Sequence, residues 1–270
     1  MTPSIAFIGG GQMAGAIIGG LIKRGCAAAD IAVVEPLAAA RDDLLARYGV
    51  QAQAAPGAFL QESDVLVWAI KPQTFKDASA ATQSYTRQAL HLSVAAGIRS
   101  DTLAHWLHSE RIVRAMPNTP ALIGQGISGL FARSGVSDAD KARVAQLMES
   151  TGQTLWVSDE AHIDTVTALS GSGPAYVFYF LEAMRDAGVA MGLTPAHAYQ
   201  LALATFSGAT ALAAASIDGP ETLRQRVTSK GGTTFAALTS MEADGVRTSF
   251  IAAMRAAQQR AKELGDEFGG

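Results

Sequence analysis

The 270-residue chain has one cysteine, Cys26, so no internal disulfide can form and a reducing compartment suits it. It has no long uncharged apolar run. The nearest candidate, residues 175–191, is interrupted by Glu182, Arg185 and Asp186 and reads as a buried helix rather than a membrane span. The opening Met1-Thr2-Pro3-Ser4 has no basic region and Ile5–Ile8 is too short for a signal core, so a cytoplasmic location is expected. Neither sign of charge dominates: 21 Lys and Arg stand against 24 Asp and Glu, with no clustered basic face. Nucleic acid and membrane are therefore excluded as expected partners. Catalytic constellations are also missing. His91, His105, His108, His162 and His197 are scattered without a third ligand at a telling spacing, and Cys26 has no histidine partner. No metal centre is expected. A reaction that needs only a cofactor and precise positioning fits these absences, and hydride transfer is one.

What is present is apolar material and punctuation. Hydrophobic residues make up 49% and charged residues 17%, enough to build a packed core and to exclude a disordered chain. Up to about residue 157, short apolar runs at Ile5–Ile8, Ile31–Val34, Val65–Ile70, Leu90–Val94, Ile112–Ala115, Ile127–Phe131 and Thr154–Val157 read as strands. Helical patterns at Gln12–Arg24, Leu37–Tyr48, Asp101–Leu107 and Asp138–Ser150 fall between most of them. Alternating strands and helices predict an α/β fold with a doubly wound, Rossmann-type parallel sheet. After His162 the strand signals stop. Pro174–Gly192, Pro195–Ser216, Pro220–Val227, Thr233–Glu242 and Val246–Leu264 all read as helices, three of them opening on proline. The expected organisation is a dinucleotide-binding domain over 1–160 and an all-α domain over 161–270. Small residues such as Ala202, Ala209 and Ala213 suit close helix packing, either within one chain or against a second subunit.

The first strand runs into a G-x-G-x-x-A turn, in which Ile8 is followed by Gly9, Gly10, Gly11, Gln12, Met13 and Ala14. Gly9 allows the tight turn, Gly11 lets the backbone approach a pyrophosphate, and Ala14 keeps the helix close to its strand. The pyrophosphate meets the free N–H groups of that helix. The second strand ends at Glu35, 21 residues beyond Ala14, where an acid accepts from the ribose hydroxyls of NADH or stands as a solvated charge. Arg41, a turn or two into the next helix, would tolerate the phosphate of NADPH, so the two residues pull in opposite directions. Ala69, Ile70, Lys71 and Pro72 end a further strand and should pass beside the cofactor, with Lys71 near it or merely solvated. Asn118 and Thr119 sit in a loop fixed by Pro117 and Pro120, at the site mouth or as a rigid turn.

Two segments of the helical half are small and polar: Leu169-Ser170-Gly171-Ser172-Gly173-Pro174 and Val227-Thr228-Ser229-Lys230-Gly231-Gly232-Thr233-Thr234. Each reads as a loop with free N–H groups before a helix, and together they suggest a carboxylate-binding pocket.

With the glycine turn, Ala69–Pro72 and Met116–Pro120, these two segments resemble pyrroline-5-carboxylate reductase, in order and over nearly the whole chain. The resemblance implies NADPH- or NADH-dependent reduction of 1-pyrroline-5-carboxylate to L-proline, the last step of proline biosynthesis. It implies a homodimer with interlocked helical domains, commonly five dimers to a decamer. It assigns the substrate carboxylate to Ser229, Gly231, Gly232 and Thr233. Thr234 becomes the catalytic residue, hydrogen-bonding the ring nitrogen or the water that protonates it. One position departs from the family's pattern: Lys230 stands where proline is usual, freeing the backbone and adding a donor and a charge. A reductase of another cyclic imino acid or small keto acid, and a non-catalytic dinucleotide sensor, are the alternatives.

Overall fold

The computed structural model describes residues 4–268, and the statements below concern those residues. The strands are β1 (Ile5–Ile8), β2 (Ile31–Val34), β3 (Ala52–Gln53), β4 (Val65–Trp68), β5 (Leu90–Ser93), β6 (Ile112–Met116), β7 (Gly126–Ala132) and β8 (Gly152–Trp156). They form one sheet in the order β3-β2-β1-β4-β5-β6-β7-β8. Neighbours run parallel except β6 and β7. Between the strands lie α1 (Gln12–Lys23), α2 (Ala38–Tyr48), α3 (Pro72–Thr82), α4 (Ser100–Leu107) and α5 (Asp138–Met148).

Strand alternation explains why both faces are covered. Along β1, Ile5 and Phe7 enter a core with Ile17 and Ile18 of α1 and Val144 of α5. Ala6 and Ile8 face the other way, into a core with Phe75 of α3 and Leu103 of α4. β4 divides likewise, Val65 and Val67 to the first core, Leu66 and Trp68 to the second. The strands read as continuous apolar runs because each face has its own helical layer.

Three elements lie outside the sequence expectation. β3 is two residues of little apolar character. α3 starts at Pro72 and buries only Phe75, Ser79 and Thr82, too weak a pattern to read. The third is a helical segment before Pro174, α6 (His162–Val166) continuing into a π-helical turn over Thr167–Gly171.

The chain forms two compact units. One runs through Ser172 and takes in the chain from Ala257 on; the other is Gly173–Ala256. In the first unit the end of α11 (Val246–Phe268) is held by Gln258 Nε2 donating to Thr165 Oγ1 at 2.7 Å and by an Arg99–Asp266 ion pair at 2.9 Å. The second unit contains α7 (Gly173–Ala190), α8 (Pro195–Ala214), α9 (Pro220–Arg226), α10 (Thr233–Ala243) and the start of α11. Gly188 of α7 admits α8 closely, since a Cβ there would lie 2.8 Å from the Ala198 Cβ. Phe250 meets Tyr176 and Phe180 edge-on at 5.7 and 5.6 Å. Yet α8 buries only Ala198 and Ala202, while Tyr179 is 70%, Leu201 58% and Leu212 61% exposed. No helix among the described residues is long and apolar enough to cross a membrane.

Candidate active site

The glycine turn links β1 to α1 at the carboxyl edge of the sheet. Gly9 has φ +97°, and a Cβ there would stand 2.5 Å from the Ala69 carbonyl oxygen and 2.7 Å from Ile70 Cγ2. The turn and the Ala69–Ile70 segment, far apart in sequence, thus touch through a position only glycine can fill. Gly10 is constrained differently: a Cβ would meet Leu44 Cδ1 at 2.6 Å. Gly11 is the N-cap of α1, with no side-chain cap and nothing within 4 Å of a notional Cβ. The cradle above α1 is therefore open, and its first-turn N–H groups have no acceptor within the helix. Ala14 is fully buried. These features fit a pyrophosphate.

Glu35 is buried at 7% exposure and is not a solvated charge. Its Oε2 accepts from the Gly10 N–H at 2.8 Å and its Oε1 from the Leu37 N–H at 2.9 Å. Arg41 Nη1 donates to the carbonyl oxygens of Glu35 and Pro36 at 3.0 and 2.8 Å. Lys71 is exposed and caps α3 by its backbone, its carbonyl accepting from the Thr74 hydroxyl at 3.0 Å. Asn118 precedes a 3-10 turn over Thr119–Ile123, and its Oδ1 accepts from the Ile127 N–H at 3.0 Å. That bond fastens the loop to β7 and leaves the Asn118 amide nitrogen without an acceptor among the described residues.

Below the edge, buried charge fixes the sheet. Arg114 of β6, 5% exposed, pairs with Glu160, whose Oε1 also accepts from the Ser100 N–H at 2.6 Å. Burial raises the Asp164 pKa against the opposing charges of Arg114 and Arg99. Burial, reinforced by Asp30, pushes the Cys26 thiol up, which keeps it from acting as a nucleophile. No cluster of His, Cys, Asp and Glu among the described residues is arranged to hold a metal ion.

The two small polar segments differ from each other. The stretch from Leu169 is not a loop with free N–H groups: it is the π-helical turn, in which the Ser172 N–H donates to the Thr167 carbonyl at 2.8 Å. Packing selected a helical turn for residues whose local preference is for a loop. A Cβ at Gly171 would lie 2.5 Å from Met116 Cε, the mobile end of that side chain, so this motif abuts the end of β6. The Ser170 hydroxyl is buried and unpartnered, which the sequence did not signal. The stretch from Ser229 is the turn before α10. Gly231 has φ +74°, and the Gly232 N–H donates to the Ser229 carbonyl at 3.0 Å. Gly232 caps α10 without a side-chain bond, and Thr233 and Thr234 are exposed at the first turn. The Thr234 hydroxyl has no partner among the described residues. Lys230 is exposed and lines a cavity of about 290 Å³ with Arg224, Thr228 and Phe235. The first segment lies in the first compact unit up to Ser172 and the second in the other.

A doubly wound sheet with a glycine turn at its carboxyl edge, followed by a helical segment carrying a Gly-Gly-Thr-Thr helix start, defines a dinucleotide-binding protein of the Rossmann class with an appended helical region. Residues 160–264 match the family model for pyrroline-5-carboxylate reductase dimerisation, and residues 4–97 match that for NADP oxidoreductase, coenzyme F420-dependent. The pyrroline-5-carboxylate reductase of Pseudomonas aeruginosa is 43% identical over 270 residues, 99% of each chain. The solved pyrroline-5-carboxylate reductase of Coxiella burnetii superposes with a TM-score of 0.91 at 38% identity, covering 98% of this chain and 99% of that one. That of Plasmodium falciparum, solved with NADP bound, gives 0.86 at 27% identity, covering 97% and 98%. The chain belongs to the pyrroline-5-carboxylate reductase family.

Proposed function

We propose that the chain reduces 1-pyrroline-5-carboxylate to L-proline with NADPH or NADH, the last step of proline biosynthesis. The observation that carries this reading is the Ser229–Thr234 turn: an uncapped helix start with two exposed threonines, in a chain that also holds the open glycine cradle. The cofactor, when bound, supplies the hydride that reduces the imine carbon. Ile8, Gly9, Gly10, Gly11, Gln12, Met13 and Ala14 hold its pyrophosphate end; Ala69, Ile70, Lys71, Pro72 and Asn118 border it, and Glu35 braces the adenosine end. Ser229, Gly231, Gly232 and Thr233 present hydroxyl and backbone donors to the substrate carboxylate. Thr234 orients the ring nitrogen or the water that protonates it. A hydroxyl of ordinary acidity is a poor acid, so its contribution is alignment. Lys230 adds attraction for the carboxylate in the same turn.

In this reading 1–160 binds dinucleotide, and 161–270 binds substrate and forms the homodimer, five dimers assembling into a decamer. The exposed Tyr179, Leu201 and Leu212 support an interface on the helical segment, because apolar area of that kind is costly to leave in water. The single cysteine supports a cytoplasmic location.

Initial rates of NADPH and NADH oxidation with racemic pyrroline-5-carboxylate test the activity, with the six-membered piperideine carboxylate and pyruvate as controls. Turnover selective for the five-membered imine is the expected result. Selectivity for either control would reassign the substrate, and nucleotide binding without turnover would make the chain a sensor.

A further inference from the structure

Basic side chains of the helical unit are of two kinds. Some are neutralised: Arg185 pairs with Asp186 at 2.8 Å, and Arg226 at the end of α9 pairs with Asp218 at 2.5 Å. Arg224, two residues before Arg226, is not. Its backbone carbonyl accepts from the Thr228 hydroxyl at 2.6 Å, but its guanidinium has no partner among the described residues. The Lys230 ammonium has none either. These two cations share one cavity of about 290 Å³, walled by Arg224, Gln225, Thr228, Lys230, Phe235 and Leu238. Among the described residues that wall holds no carboxylate, so no internal anion offsets the two charges there. Two like charges on one concave wall, with apolar side chains beside them, focus a field on an incoming anion.

Backbone bonds keep the two cations at this place. After α9 the chain is turned by the Thr228 N–H donating to the Gln225 carbonyl and the Gly232 N–H donating to the Ser229 carbonyl, each at 3.0 Å. Lys230 lies inside that second turn, between Ser229 and Gly231, and the φ of +74° at Gly231 sets the reversal. Its ammonium therefore leaves the same short segment that carries the donors for the substrate carboxylate. Proline, the residue usual in the family at this position, has no charge to offer.

We propose that Arg224 and Lys230 form an anion-capture subsite that draws the carboxylate of the cyclic imine to the Ser229–Thr234 donors. The inference rests on the reduction of 1-pyrroline-5-carboxylate proposed above and adds to it Arg224 and a second positive charge. Both charges act on binding, so KM should bear their effect and kcat should not.

Initial rates with 1-pyrroline-5-carboxylate at saturating NADPH test this. The proteins are wild type, Arg224→Gln, Lys230→Gln, their double variant, Arg224→Lys and Arg226→Gln. Each single loss should raise KM about twofold to fivefold, the range for one exposed charge pair, with kcat held within about twofold. Arg224→Lys should recover most of the loss. Arg226→Gln removes the same charge from the same helix, but its partner is Asp218 and it does not line the cavity, so its KM should match wild type. Two readouts need no variant. Raising the ionic strength from about 0.02 to 0.3 M should raise the wild-type KM, because counter-ions screen the pair, and the double variant should respond less. Inorganic phosphate should compete with the imine in wild type and several-fold more weakly in the double variant. A wild-type KM indifferent to salt and phosphate, or a double variant with wild-type KM, would overturn the proposal and leave the reductase reading intact. So would an Arg226→Gln variant as impaired as Arg224→Gln, because net charge and not the cavity would then be at work. Absence of turnover in wild type would remove the reductase reading and the proposal with it.

Discussion

At the scale of single residues, the site depends on positions where a methyl group is too much. Gly9 combines a left-handed φ with a Cβ position 2.5 Å from a backbone carbonyl, and neither neighbour is a flexible side-chain end that could yield. Gly9→Ala should therefore cost about 2 kcal/mol or more of stability and weaken nucleotide binding together with it. A denaturant midpoint and an NADPH titration on the same preparation check both. Thr234 makes the contrasting case. It is exposed and carries no internal bond, so Thr234→Val should leave the melting temperature within about a degree while kcat falls about tenfold or more. A matching loss of stability would contradict a role in alignment. These positions differ in how legible they were. The Gly9, Gly11 and Ala14 spacing states its purpose in sequence, because each gap answers to a turn, an approach or a packing distance. Glu35 does not: spacing placed it at the strand end, but nothing in the chain order says that its oxygens turn to Gly10 and Leu37.

At the scale of elements, the β4–β5 pair carries a buried titratable group that catalysis does not use. His91 on β5 is 1% exposed, and the Trp68 indole donates to its Nδ1 at 3.1 Å. An accepting Nδ1 means that the ring is neutral with its proton on Nε2, which has no partner among the described residues. Burial, with the charge of Arg111 adding to it, lowers the His91 pKa to about 4. An unfolded histidine titrates near 6.5, so between that value and about 4 the unfolded chain binds a proton that the folded chain refuses. The contribution of His91 is thus complete above about pH 6.5 and is lost as pH falls towards 4, an effect of about 3 kcal/mol. Urea unfolding at pH 7.5 and 4.5 should show this drop, and His91→Phe should flatten it; an unchanged slope in the variant would assign the titration elsewhere. The strands themselves were readable. β1 and β2 have the bounds that their apolar runs suggest, and the other expected strands differ by one or two residues at their ends. α3 was not readable, because a helix packed by Phe75, Ser79 and Thr82 hides most of its buried face among small polar residues. The π-helical turn was misread for the reverse reason: Gly171 and the serines around it suggest a loop, whereas the segment continues α6 as a helical turn with Gly171 beside the Met116 side chain.

At the scale of the whole molecule, the two compact units follow different rules. The sheet unit buries its large apolar side chains, among them Trp68, Phe7 and Phe75. The helical unit leaves comparable side chains in water. Leu201 and Leu212 lie three turns apart on α8 and share a face of that helix. A Leu201→Glu, Leu212→Glu double variant should shift the protein from dimer or larger to monomer in light scattering and lower its melting temperature; an unchanged mass would place the interface elsewhere. The central claim is that this chain unites a dinucleotide cradle with a carboxylate-binding turn to reduce a five-membered cyclic imine. Its most direct test is the initial rate of NADPH oxidation with pyrroline-5-carboxylate, run beside the six-membered homologue. The account predicts rapid turnover of the five-membered imine and little with the larger ring. Tight NADPH binding with no turnover of the five-membered imine would contradict it.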